Sequence, residues 1–453
     1  MNIYIQTEIS SREEDSNLLK AIIAAKKGGK VIISNFETIK FLLEKNLLKE
    51  GIFHTKSLVH NQRKDKLLKL LSKKGFMITS LDEENGIIKD KKSFKNFIET
   101  RFTEESLKNA DKIFCWGREE YETLINHFPT FKDKFLLTGS SRLDMWKKNF
   151  QSYWHNDFKH KEKQVLISLN FPLVNGFKTY EKILEELNKS GYFSRSNKYL
   201  NEIKEIYEIT KKNFELFKEM IVFLAQNLKK VNFVVRPHPV EKKQIWVDLL
   251  KNFKNVTIDN NENFNTSLYS ANILIHNSCT TAFQAALVEK KIFCYSPLKE
   301  NIEHGRLANS LGEKIVSKEN LLQQIREYYI KSTPEKVSKE NFELINSRLH
   351  NSFNNSLSSD LIVNTWAKLF LNLKYKRNNL FMIKFSLALQ SLYKNFLSFF
   401  NVNKNNFDTK FHKYDFEAIT AKIDKLKKVL KINENFKVQI LSNQCIFIKK
   451  DEF

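Results

Sequence analysis

The apolar run 231–235 ends abruptly in Arg236-Pro237-His238-Pro239. Four β-branched or aromatic residues in five positions read as a buried strand, and prolines stop it. A guanidinium and an imidazole held on so stiff a frame are aimed before any ligand arrives, which suits a phosphate leaving group. The plain alternative is a turn that carries a surface histidine. A second strand-to-helix junction follows in ILIHNSCTTAFQAALVEKK, residues 273–291. There Ser278, Thr280 and Thr281 would stand at the start of a helix over 280–291, where free N–H groups and the helix dipole attract anions. Ordinary capping by Ser278 or Thr280 is the alternative.

Acids occupy a third junction. ITSLDEENG (78–86) puts Asp82, Glu83 and Glu84 just past a strand, in a turn that Gly86 closes. A half-buried carboxylate there could take a proton from an acceptor hydroxyl if burial raises its pKa; a solvated acidic turn is the other reading. SSREED (10–15), with Arg12 and Glu13, could cap the next helix or line the same cleft, and Glu8 and Glu13 are the fallback bases. A base on one side and a phosphate grip on the other describe group transfer from a nucleotide donor. No Asp-x-Asp occurs. A metal-bridged diphosphate mechanism therefore has no support, and a single displacement with a carboxylate base would invert the centre attacked.

These junctions need sheets to carry them. NIYIQ (2–6), a helical pattern over 15–29 and KVIIS (30–34) form a βαβ unit, and the helix-then-strand order repeats through 66–86, 106–117 and 134–144. Parallel sheets with helices on both faces follow. A polar, aromatic stretch at 147–164 reads as a linker, after which VLISLNF (165–171), 231–235, NVTID (255–259), 271–278 and 292–297 restart the alternation. The expected architecture is α/β, with two doubly wound Rossmann-like domains, 1–160 and 161–345, facing a cleft, and a basic helical and α+β extension at 346–453. In that extension LFMIKFSLALQSLYKNFLSFF (380–400) is apolar apart from a stripe of Lys384, Ser391, Asn395 and Ser398, and 368–453 holds 17 Lys or Arg against 7 Asp or Glu. Such a helix either docks on a domain or lies on an anionic bilayer.

Composition narrows the classes. With 453 residues, 42% of them hydrophobic, the chain can build two or three cores. Its 75 basic and 52 acidic residues leave a formal charge of +23, from AT-rich coding or from anionic partners such as nucleotide-linked substrates or an acidic membrane surface. Nucleic acid is disfavoured: no zinc spacing, aromatic RNA-binding signature or helix-turn-helix is evident. Cysteines 115, 279, 294 and 445 are widely spaced, which suggests a reducing compartment. The N-terminus has no basic leader, and no run of eighteen uncharged apolar residues offers a membrane span. The expected location is cytoplasmic, with peripheral attachment to the inner membrane face as an option.

The order LDEENG, TGSSRLD, LISLNF, RPHP, HNSCTT resembles the bacterial surface carbohydrate biosynthesis family, whose members resemble GT-B glycosyltransferases; the likeness spans about residues 1 to 345. A narrower resemblance is to GT-B sialyltransferases and Kdo transferases, which use an acidic motif before glycine, an HP motif and a serine/threonine motif. It implies that Glu83 or its neighbours Asp82 and Glu84 act as base, and that His238 assists the departing CMP phosphate. Arg236, Ser168, Asn170, His276, Asn277, Ser278, Thr280 and Thr281 would then hold the donor, and Glu8, Arg12 and Glu13 the acceptor. Two positions depart from the pattern: Asn85 separates the acids from Gly86, and Gln284 stands where related proteins often have a glutamate for the ribose. The resemblance thus implies metal-independent, cofactor-free transfer of a CMP-linked ulosonic acid, Kdo or nonulosonic, to a glycan or lipid-linked glycan. The rivals are a CDP-glycerol type glycerophosphotransferase, a nucleotide-sugar epimerase and a non-catalytic assembly module of the same fold.

Overall fold

The computed structural model describes the chain except for residues 60–61, 85–90, 155–162, 190–197, 260–262, 299–306, 332–336, 400–412 and 452–453. Asn85 and Gly86, and with them the glycine of the acidic turn, lie outside the described residues. The chain divides into two compact units: Met1–Gly86, Phe94–Tyr153 and Glu343–Phe453 form one, Ile87–Ser93 and Trp154–Phe342 the other.

In the first unit, strands β1 (Asn2–Gln6), β2 (Lys30–Ser34), β3 (Ile52–Thr55), β4 (Met77–Leu81), β5 (Lys112–Cys115) and β6 (Phe135–Leu137) lie parallel in the order β2-β1-β3-β4-β5-β6. The order reverses between β1 and β3, so the crevice that such sheets offer to ligands opens beyond the carboxyl ends of those two strands. These strands are short, nearly continuous apolar runs because helices cover both faces.

The C-terminal segment completes this sheet. Strands β13 (Phe436–Ser442) and β14 (Cys445–Lys450) form an antiparallel hairpin, and β14 pairs antiparallel with β2, Cys445 opposite Ser34. Helix α1 (Ser10–Lys26) packs against β14 and against the helices Ser358–Phe370 and Phe416–Leu430. The residues expected to form a separate extension from 346 thus belong to the first unit. Gly139 shows how close the returning segment comes: its φ is +79°, and a Cβ there would run into the Ser358 side chain and the His350 carbonyl. The expected linker also differs. Phe150 and Tyr153 are buried, and Tyr153 donates its hydroxyl proton to Asp15 at 2.6 Å, so 147–154 is packed chain; 155–162 lies outside the described residues.

The second unit has β7 (Gln164–Ser168), β8 (Asn232–Arg236), β9 (Val256–Ile258), β10 (Ile273–His276), β11 (Lys291–Tyr295) and β12 (Glu313–Ile315), all parallel, in the order β12-β11-β10-β7-β8-β9. This is the doubly wound order of dinucleotide-binding sheets, with its switch point between β7 and β10. Its core gathers Val165, Ile167, Phe217, Phe233, Trp246 and Phe293. The helix expected over 280–291 is shorter, Thr281–Leu287, because Glu289 turns left-handed (φ +53°) and the Lys290 N–H closes on the Ala285 carbonyl at 3.0 Å.

Candidate functional site

Each unit gathers its candidate residues at the carboxyl edge of its own sheet. In the first unit the three acids beyond β4 meet three different fates. Asp82 is bound by Arg101, whose Nη2 donates to Oδ1 at 2.6 Å and whose Nε donates to Oδ2. Its own carbonyl accepts from Trp116 Nε1 at 2.8 Å. A bidentate pair of this kind on a buried carboxylate holds the turn in place. Glu84 is half-exposed and lies 3.3 Å from Lys56, 3.5 Å from Arg101 and 3.6 Å from Arg12, cations that keep its carboxyl below the usual range although partial burial pulls the other way.

Glu83 differs from both. Its side chain is buried and Oε2 has no hydrogen-bond partner. Its backbone N–H donates to the Lys56 carbonyl at 2.9 Å, which ties the ends of β3 and β4 together, while Arg142 Nη1 donates to its carbonyl at 2.9 Å and sits 3.7 Å from Oε2. Burial pushes its pKa up; Lys20, Arg142 and Arg12 pull it down, and Glu13 adds to the rise. Lys20 is fully buried on α1 with Nζ unbonded, and burial lowers its pKa. An acid and an amine that both lean towards neutrality are suited to hand a proton on.

The residues 8–15 line this same cluster. Ile9, not a serine, is the N-cap of α1, so the capping expectation for SSREED fails there. Glu13 reaches back to accept the Glu8 N–H at 2.8 Å and pairs with Arg12 at 3.1 Å; Glu8 pairs with Lys56. Glu8 and Glu13 are both committed to cations.

Sequence reasoning missed Lys20, Lys56, Arg101 and Arg142. Lys20 stands in the apolar pattern LLKAIIAA and is fully buried, near the charges of Glu83, Glu13, Asp144 and Arg142. Arg142 was in plain view in TGSSRLD. In that motif Asp144 accepts from the Ser358 and Ser359 N–H groups at 2.9 and 2.8 Å and so caps the returning helix.

In the second unit Ser168 ends β7 in register with His276 on β10 and Arg236 on β8. His276, Asn277 and Ser278 are buried; both ring nitrogens of His276 and both amide atoms of Asn277 lack hydrogen bonds. Burial drives the His276 pKa down to about 4, so the ring is neutral. Ser278 takes the left-handed conformation (φ +49°), uncommon for a residue with a side chain, and exchanges hydrogen bonds with Asn309 at 2.9 Å. Asn170 Nδ2 donates to the Ser278 carbonyl at 3.4 Å, and Thr281 Oγ1 reaches Ser168 Oγ at 3.4 Å. Thr280 is the N-cap of the following helix but makes no side-chain cap, and Gln284 gives its amide N–H to Asn265 at 3.0 Å.

Arg236 and His238 are held by acids. Arg236 Nη1 lies 2.7 Å from the buried Asp259, which also accepts from Ser267. Glu241 pins the proline turn: its carboxylate accepts the N–H groups of Phe171 at 2.8 Å and His238 at 3.1 Å and the Asn175 amide at 3.2 Å. His238 Nδ1 accepts the Val240 N–H at 3.4 Å, which leaves the proton on Nε2, and burial and Arg236 lower the ring pKa. His238 is thus a neutral N–H donor held by Glu241, an acid inside the stretch 231–243 that sequence reasoning did not single out.

The fold is GT-B-like, two Rossmann-like units in one chain. Among solved structures the chain is similar to the wall teichoic acid polymerase TagF at 13% identity, over 82% of this chain and 89% of that one, with a TM-score of 0.51. A point variant of TagF gives 0.52 at 12% identity, over 82% and 89% of the two chains. The UDP-GlcNAc 2-epimerase from Neisseria meningitidis bound to UDP-GlcNAc matches at 14% identity over 81% of this chain and all of that one (100%), with a TM-score of 0.45. No family model and no curated protein matches the chain. At these identities the likeness establishes the fold, and the reaction has to be argued from the residues.

Proposed function

We propose that the protein is a glycosyltransferase of bacterial surface polysaccharide biosynthesis that transfers a CMP-activated ulosonic acid to a glycan or lipid-linked glycan, with inversion and without a metal. The observation that carries this reading is Glu83, a buried carboxyl of raised pKa with one oxygen unbonded at the carboxyl edge of its sheet. Of the three acids in its turn, Asp82 is bound bidentately by Arg101 and Glu84 is held ionised by surrounding cations, so Glu83 is the base. As a carboxylate it takes the acceptor hydroxyl proton while that oxygen attacks the anomeric carbon; the bond to the CMP phosphate breaks and the phosphate leaves with the electron pair. The His238 Nε2 proton, the Arg236 guanidinium, the hydroxyls of Ser168, Ser278, Thr280 and Thr281, and the unpaired His276 and Asn277 supply fixed dipoles for the donor. Glu8, Arg12 and Glu13 would border the acceptor. The reaction belongs in the cytoplasm, at the inner face of the membrane where a lipid-linked acceptor is anchored.

A second reading, transfer of glycerophosphate from CDP-glycerol, is favoured by the likeness to TagF, one variant of which was soaked with CDPG and matches at a TM-score of 0.50. The two separate in one assay. CMP binding and turnover of CMP-Kdo or a CMP-nonulosonic acid in EDTA are expected; metal-dependent turnover of CDP-glycerol or a UDP-sugar, with none from any CMP-sugar, overturns the proposal.

A further inference from the structure

The helix Leu380–Phe399 has two apolar faces, and the first unit uses only one. Leu380, Ile383 and Leu387, spaced i, i+3, i+7, pack into the core of that unit. Phe381, Phe385, Leu389 and Leu392 follow at i, i+4, i+8, i+11 on the far side and stand in solvent, Phe381 at 75% and Leu392 at 66% exposure, with the rings of Phe381 and Phe385 stacked at 6.3 Å. Lys384 and Ser391 fall on the flank between the faces, so the polar stripe of the sequence marks a border rather than the solvent side. The side chains of Asn395 and Ser398 lie outside the described set. An outward ridge of large apolar residues on a monomer needs a partner.

Charge identifies the partner. Where this helix begins, Lys30, Arg377, Lys437 and Lys449 line a pocket of about 190 Å³ together with uncharged neighbours, and no carboxylate lines it among the described residues. Lys30 Nζ is oriented by the Tyr375 hydroxyl at 2.5 Å. The pocket is formed partly by the starts of β1 and β2, at the end of the sheet opposite the acid cluster. Cations grouped at the start of the helix that carries the apolar ridge match the phosphates and acyl boundary of an anionic bilayer. We infer that the outer face of Leu380–Phe399 is a membrane-docking surface, with acyl chains meeting Phe381, Phe385, Leu389 and Leu392 and lipid phosphates meeting Arg377 and Lys437. The inference does not depend on the identity of the donor.

The test is flotation of the full chain with phosphatidylcholine vesicles, with and without phosphatidylglycerol. Binding is expected only with phosphatidylglycerol and should weaken as salt is raised. Phe385→Glu with Leu392→Glu should lower partitioning about tenfold or more, and Arg377→Glu with Lys437→Glu should remove the preference for anionic vesicles. All four positions are exposed, so far-UV circular dichroism and the melting temperature should not change. Failure of the unmodified protein to float with anionic vesicles, or equal flotation of both double variants, overturns the inference. A dimer in light scattering that Phe385→Glu dissociates, without vesicle binding, also overturns it and gives the ridge to a second copy of the chain.

Discussion

The carboxyl edges of the two sheets each lie at a reversal of strand order and differ in electrostatics. In the first unit, acids and bases face one another in a closed mesh: Asp82 with Arg101, Glu84 with Lys56 and Arg12, Glu8 with Lys56. In the second, cation and acid pair at the margin, Arg236 with Asp259, and the middle of the edge holds neutral polar groups, several of them unsatisfied. A mesh of ion pairs fixes where a proton sits. A set of buried, unsatisfied dipoles leaves room for the oxygens of a ligand. In the proposed reaction this contrast divides the work, proton transfer in the first unit and donor binding in the second.

The largest effect that could break this division is at Glu83. Glu83→Gln should lower transfer at least ~100-fold with nucleotide affinity unchanged, as loss of a general base requires. Its two neighbours should behave differently in kind. Asp82→Asn leaves Arg101 with Glu84 as its remaining acid and should cost about 1.5–3 kcal/mol of stability, read by denaturant unfolding, whereas Glu84→Gln should stay within a few-fold of the original rate. Full activity in Glu83→Gln removes Glu83 as the base and passes the role to another acid, with Glu8 and Glu13 next in line.

His238→Ala should lower turnover ~100-fold while the fold persists. Glu241→Gln tests whether the frame around that ring matters: an amide cannot accept all three N–H groups, so about 1–3 kcal/mol of stability should go, together with part of the activity. Unchanged kinetics in both would detach the proline turn from the reaction.

The smallest and sharpest change is in pH dependence. In the proposed reaction Glu83 acts as the carboxylate, and burial raises its pKa, so the acid limb of the rate profile should lie above the ordinary carboxylate range and activity should fall as pH drops through it. Lys20 holds that limb down. Lys20→Met should move it to higher pH with little change in the plateau rate. A limb that stays in place assigns Lys20 to packing alone.

Much of this was legible in the sequence, for a physical reason: a buried parallel strand is an apolar run, and the residues after it are the ones a ligand meets. That rule picks out β1, β2, β4, β7, β8 and β10 and the residues after them. It passes over β3, where His54 interrupts a short run, and β12, only three residues long. It finds the acids after β4 but not how each is paired, because that depends on Arg101 and Arg142, residues outside the turn. The terminal hairpin shows the same boundary. The alternation of FKVQILS and CIFIKK reads as strand, yet pairing with β2, some four hundred residues earlier, is a tertiary fact.

That pairing bears on how the chain folds as it leaves the ribosome. Trp154–Phe342 supplies all the strands of the second unit, and its sheet can close while synthesis continues. The first unit must wait: α1 and the free edge of β2 stay uncovered until Ser358–Phe370, Phe416–Leu430 and β14 have emerged. Here the usual order, N-terminal part first, is inverted. For that interval the nascent chain presents an unpaired strand edge and an apolar helix, a target for chaperones and a point at which early termination would leave an aggregation-prone product.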